Sequence, residues 1–256
     1  MLSLLLVSLL GWLVGVLINY VSDTLPTRRR LGSPFCLSCE APFPLVNYLI
    51  WPRRCRQCGR RRTWRNWLVE LLSILATLWL WQNPALRIGF AGGLALLIYF
   101  GIVVVIDIEH RLILHWISLF GALLSSIIGI YVRGWQATLF GGLAGFGIMF
   151  SLYLLGILFV RFVNRRRART PEGEALGFGD VVLAGVLGLL LGWPAIVLGL
   201  VIAFLLGGIF SLLYLLAMIL FGRYRSFSAI PYGPFLVAGA AGLIFFRQFL
   251  LAVLGQ

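Results

Sequence analysis

The chain has 256 residues, of which 61% are hydrophobic and 11% charged, with a formal net charge of +13. Its mean hydropathy of +1.01 means more apolar surface than a domain of this size can hide, and too little charge to cover the rest, which excludes a water-soluble globular protein. In lipid the backbone must close its own hydrogen bonds, and long apolar runs without alternation favour helices over a β-barrel.

Eight apolar runs are predicted to span the membrane, over roughly 1–18, 67–82, 88–106, 112–131, 137–160, 181–192, 195–221 and 234–255. The first (MLSLLLVSLLGWLVGVLIN) lacks a basic leading segment and a small-residue cleavage site, and reads as a retained span. All 21 basic residues are arginine, which points to topology and anionic lipid in place of nucleic acid. Ten of them lie between the first two runs, and 18 of the 21 share one side if the runs alternate. The positive-inside rule makes that side cytoplasmic and leaves both termini outside. The expected fold is an all-α polytopic membrane protein of about eight transmembrane helices. It divides into a first helix (1–18), a cytoplasmic loop domain (19–66) and a seven-helix membrane domain (67–256).

The loop domain holds all four cysteines, in FCLSC (Cys36, Cys39) and RCRQC (Cys55, Cys58). Two C-x2-C pairs at this separation suit tetrahedral Zn²⁺ held by four thiolates. The rival is a pair of disulfides, which a reducing compartment disfavours. A four-thiolate site has no open position, so its metal would fold the loop and do no chemistry. Flanking arginines would favour thiolate.

The third run, LALLIYFGIVVVID, stays apolar up to Asp107. A carboxylate at a helix C-terminus opposes the macrodipole, and ionisable groups at membrane depth are functional candidates. The plain alternative is that Asp107 opens a wet loop, DIEHR. His110 and His115, with Glu109 nearby, read as interfacial polar residues more readily than as a metal site. Small residues within the spans, such as GGLAG (141–145) and AGAAG (238–242), read as close helix packing before hinges. RFVNRRRARTPEGEALG (161–177) resembles a mobile loop.

GFGD (177–180) opens the sixth run. Asp180 would serve as a plain N-cap, yet its two glycines allow another chain to approach closely. Gly192-Trp193-Pro194 then implies a tight hairpin between the sixth and seventh runs. The arginine topology puts Asp107 and Asp180 on one face. Two carboxylates brought together share a proton, because both cannot ionise cheaply. The charged one then activates water and the protonated one hydrogen-bonds the scissile carbonyl, the division of labour of aspartic proteolysis. The parts of other hydrolases, HExxH and GxSxG, are missing from the sequence.

With these residues in place, the sequence resembles the type IV prepilin peptidases, GxGD-type intramembrane aspartyl proteases. GWLVGVLINYVSDTLP (11–26), the cysteine loop followed by NWLVELL, VIDIEHRLIL, GFGDVVLAGVLGLLLG and AIPYGPFLVAGA (229–240) carry the resemblance over nearly the whole chain. It departs at Val182, where the family usually has Lys, and at Ile113-Leu114-His115, where it often has Ile-Pro-Asp. The resemblance implies that Asp107 and Asp180 are catalytic. It implies substrates that are prepilins or pseudopilins of pilus and secretion systems, cut on the cytoplasmic side of the inner membrane between a basic leader and a hydrophobic helix. It further implies S-adenosylmethionine-dependent N-methylation of the new terminus, for which Glu70, Asn19 and Asp23 are candidates. The arginine-rich loop would repel a basic leader and is assigned to lipid phosphates and metal folding.

Two other functions fit parts of the sequence. A proton-coupled transporter or channel would use the aspartates as a relay, but the chain has no visible repeat. A membrane-anchored zinc-ribbon interaction module would explain the cysteines and leave the aspartates without a role.

Overall fold

A computed structural model describes residues 2–30, 32–36, 39–44, 47–48, 54–59, 61, 63–84, 88–164, 177–221 and 231–246. Among them, eight long helices follow the eight apolar runs: α1 (Leu2–Arg28), α2 (Trp64–Gln82), α3 (Gly89–His110), α4 (His115–Arg133), α5 (Trp135–Asn164), α6 (Phe178–Leu191), α7 (Ala195–Leu220) and α8 (Gly233–Phe245). Most of the expected loop (165–176) and the end of the eighth run (247–255) lie outside the described residues.

Five helices, α1, α3, α4, α5 and α7, are long and apolar enough to cross a membrane. Their outward side chains include Leu5, Leu123, Leu155, Leu205 and Leu212, all exposed, as suits a lipid-facing surface. α6 and α8 have 14 and 13 residues, so at 1.5 Å per residue they reach about 20 Å of a ~30 Å hydrocarbon core.

The chain forms two compact units, Met1–His110 and Arg111–Gln256. In the first, α1 packs along α2, and both touch α3. The α1–α2 approach is set by small residues: a Cβ on Gly15 would lie 2.6 Å from Glu70 Cα, and one on Gly11 2.7 Å from Ile74 Cα. α1 continues ten residues past the apolar run, to Arg28. Asn19, Ser22, Asp23 and Thr24 are all buried in that extension, so its polar side chains face protein.

In the second unit α6 is central, packed by α4, α5, α7 and α8. Val181, Leu183, Ala184, Leu187 and Leu191 are each at most 1% exposed. This short helix is therefore solvated by its neighbours. Its contact with α5 is backbone on backbone: a Cβ on Gly188 would stand 2.2 Å from Gly141 O, and one on Gly145 2.4 Å from Ala184 O. The GGLAG stretch thus serves close packing. Gly192, at φ 67°, ends α6, and α8 follows α7 in the same small-residue manner, with Gly239 against Gly199.

Candidate active site and metal centre

The four thiols come together in the first unit, all Sγ atoms lying within 4.8 Å of one another. Cys36 and Cys58 are 3.6 Å apart and Cys39 and Cys55 3.5 Å apart. Tetrahedral coordination at a metal–sulfur distance of ~2.3 Å gives edges of about 3.8 Å. All four are free thiols, so the cluster fits a metal and not the disulfide alternative. The two C-x2-C pairs fold alike. Glu40 N–H donates to Cys36 O and Gly59 N–H to Cys55 O, at 2.8 and 3.0 Å. Glu40 and Gly59, each four residues after the first cysteine, have φ of 57° and 69°. Phe35 pairs with Pro42 and Arg54 with Arg61 in isolated antiparallel bridges. Each knuckle supplies one buried and one exposed thiol. Backbone N–H groups of Cys58 and Gln57 bring the Cys55 thiol down to about 6, while its neighbour Cys39 is pushed up to about 12, so Cys55 is the thiol of that pair that ionises first. Behind the thiols, Phe43 and Tyr48 form a small core with Cys36, Ala41 and Cys55, packed against Tyr20 of α1.

A buried polar network joins α1 and α2. Trp12 Nε1 donates to Glu70 Oε2 at 3.1 Å, and Asn19 Nδ2 donates to Asn66 O at 3.0 Å and to Glu70 Oε1 at 3.5 Å. Tyr48 Oη donates to Asp23 Oδ2 at 2.9 Å. Arg65 pairs with both Asp23 and Glu109. Among the described residues, the buried Asn19 Oδ1 and Ser22 Oγ lack partners. The three methyl-transfer candidates, Glu70, Asn19 and Asp23, are therefore part of one network. Trp12, Tyr48, Arg65 and Asn66 belong to it too, and sequence reading passes over them. One signal was available for Arg65: a cation in the first turn of a helix opposes the dipole and implies an acidic partner.

Asp107 lies in the last turn of α3, 5% exposed, beside the buried Val103 and Ile106. In the second unit Asp180 is the third residue of α6 and 9% exposed. Gly177, not Asp180, takes the N-cap position, and Asp180 N–H donates to Gly177 O at 3.1 Å. Asp180 therefore sits in the first turn of α6 and not at its N-cap position. The second glycine of GFGD is sterically required, since a Cβ on Gly179 would stand 2.9 Å from Ile113 Cβ. Tyr232 stands within reach of the Asp180 charge; burial and that charge push its hydroxyl up to about 12. Neither His110 nor His115 joins a metal-competent cluster among the described residues.

The profile of the bacterial peptidase A24 N-terminal domain matches residues 9–83, and that of the type IV leader peptidase family matches residues 94–212. A prepilin leader peptidase/N-methyltransferase of Dickeya chrysanthemi is 33% identical, the alignment covering 94% of this chain and 92% of the relative. Proteins of the same name from Aeromonas salmonicida and Aeromonas hydrophila are 30% and 28% identical, over 82% and 87% of this chain and 70% and 74% of theirs. No solved structure matches the chain. One profile covers the thiol loop and the helix of Glu70, the other the helices that carry Asp107 and Asp180, and with them the chain is assigned: it belongs to the type IV leader peptidase family, as a multi-pass membrane enzyme of the prepilin peptidase class.

Proposed function

We propose that the protein is an intramembrane aspartyl endopeptidase that removes the leader of type IV prepilins or pseudopilins at the cytoplasmic face of the inner membrane, and then methylates the new N-terminus. The observation that carries the reading is a pair of buried carboxylates, Asp107 and Asp180, at the ends of two apolar helices. Asp107, in the last turn of α3, opposes that helix's dipole, whereas Asp180, in the first turn of α6, agrees with the dipole of its own helix yet is held buried. A buried carboxylate is retained where chemistry needs it.

The mechanism follows from what these groups can do. With one proton between them, the ionised aspartate takes a proton from water, and the water oxygen attacks the scissile carbonyl. The protonated aspartate donates to the developing oxyanion, then passes its proton to the leaving amine. A peptide bond inside a helix is screened by its own hydrogen bonds, so the cut falls where the substrate helix begins. The arginine distribution supports a cytoplasmic position for the site, with eight spans and both termini outside.

The thiol cluster suits structural Zn²⁺, held by Cys36, Cys39, Cys55 and Cys58. The network of Asn19, Glu70 and Asp23 suits a cationic methyl donor: Glu70 stands beside Asn19, whose Oδ1 is an orphaned acceptor, while Asp23 is paired with Arg65 and Tyr48 and holds the network in place. S-adenosylmethionine bound there would supply an electrophilic methyl group, with Glu70 and Asn19 offering acceptors to its positive charge. The test is incubation of the purified protein with a prepilin peptide and S-adenosylmethionine, followed by mass measurement. Leader loss with the added mass of one methyl group is expected; an intact substrate contradicts the reading.

A further inference from the structure

Arg65 is the second residue of α2, at the end where the helix dipole is positive. A cation there is unfavourable unless carboxylates surround it. Its guanidinium is shared among three helices: it pairs with Asp23 of α1 and Glu109 of α3, while its Nε and Nη2 donate to Asn66 Oδ1 of α2 at 3.1 and 2.6 Å. The Arg65–Asp23 half is largely buried, at 15% and 8% side-chain exposure. Tyr48 Oη holds the second oxygen of Asp23 at 2.9 Å. The guanidinium is thereby fixed before it meets Glu109, so the outer contact costs little side-chain entropy, unlike an ordinary surface pair.

Glu109 stands two residues after Asp107 in the last turn of α3. Two acidic residues crowd the negative end of that helix, where the carbonyls lack partners and the turn tends to fray. Arg65 brings a cation from another helix to this end by pairing with Glu109, beside His110 of the same turn and Arg111 that follows it. We propose that Arg65 is a positioning residue for cleavage: by clamping Glu109 to α1 and α2, it fixes the last turn of α3 and so the Asp107 carboxylate. The inference rests on Asp107 being catalytic, as proposed above.

The test uses the full-length enzyme and a prepilin peptide. Arg65→Gln and Glu109→Gln should each lower kcat by about tenfold to a hundredfold, the range expected when a reacting group is displaced, with KM changed by no more than about twofold. Hydrogen exchange at the amides of 106–110 should speed up in both variants. The double variant should be no slower than the slower single, since both break one clamp. Wild-type kcat in both singles overturns the proposal, as does activity loss with unchanged exchange at 106–110, or additive losses in the double. If Arg65→Gln does not fold because Asp23 is left buried without its cation, Glu109→Gln decides alone, because it leaves the Arg65–Asp23 pair intact. Asp107→Asn measured alongside separates the two levels. If it cleaves at the wild-type rate, the catalytic reading falls and this inference with it. If it is dead while Arg65→Gln and Glu109→Gln are unaffected, only the clamp is refuted.

Discussion

Trp12 of α1 donates its indole N–H to Glu70 of α2 at 3.1 Å, across the contact that Gly15 makes possible. The other Glu70 oxygen faces Asn19 Nδ2 at 3.5 Å. Glu70→Gln keeps the shape and removes the charge. Leader cleavage is expected to continue while methylation falls at least about tenfold, the loss of one charge-assisted contact to a cationic donor. The mass of the cleaved product reads both steps at once. A fully methylated product from this variant would remove Glu70 from the methyl-transfer site.

The sequence showed the helices through their apolar runs, and their positions follow those runs closely. What it hid was polar. The run ending near residue 18 conceals ten further helical residues, because Asn19 and Asp23 bond to α2 and to the thiol loop, and hydropathy cannot register a polar side chain with a protein partner. Arg65 was lost among ten arginines for the same reason. The cysteine spacing announced a cluster, but not the positive φ at Glu40, where a glycine would have been the usual signal. GFGD was legible as a motif. That Gly177 caps α6 and that Gly179 yields to Ile113 required the neighbouring chain to be seen.

The thiol cluster predicts one bound zinc per chain. Cys36→Ser or Cys58→Ser removes one of the four ligands, whose sulfurs lie within 4.8 Å of one another, so elemental analysis should find the metal lost. It should also find faster hydrogen exchange in the small core around Phe43 and Tyr48. Full metal content in either variant would contradict a four-thiolate site.

Metal retention should depend on pH with a defined sign. The folded Cys55 thiol lies near 6, below its ordinary 9.0. A depressed value favours the charged form, so the thiolate is present at neutral pH and is lost as pH falls through about 6. Zinc content should therefore decline on acidification, as protons compete with the metal for the thiolates. Retention that improves on acidification would reverse the sign and refute the assignment.

Gly188→Leu tests the packing of α6. Its Cβ would stand 2.2 Å from Gly141 O, a backbone atom that cannot rotate away. The two helices must part, at a cost of about 1–3 kcal/mol or more, and thermal unfolding in detergent should shift several degrees lower. Gly147→Leu, where a Cβ meets nothing within 4 Å, should leave the transition in place. Equal effects at both positions would show that residue size alone, and not this contact, governs stability.

The account rests most heavily on Asp107 and Asp180 acting as one catalytic pair. The direct measurement is cleavage of a prepilin by Asp107→Asn and by Asp180→Asn in membranes, with the amount of each protein determined in parallel. Each variant should accumulate to the parental level yet lose at least about a hundredfold in cleavage, as expected when a general acid or base is removed. Parental cleavage by either one would contradict the mechanism.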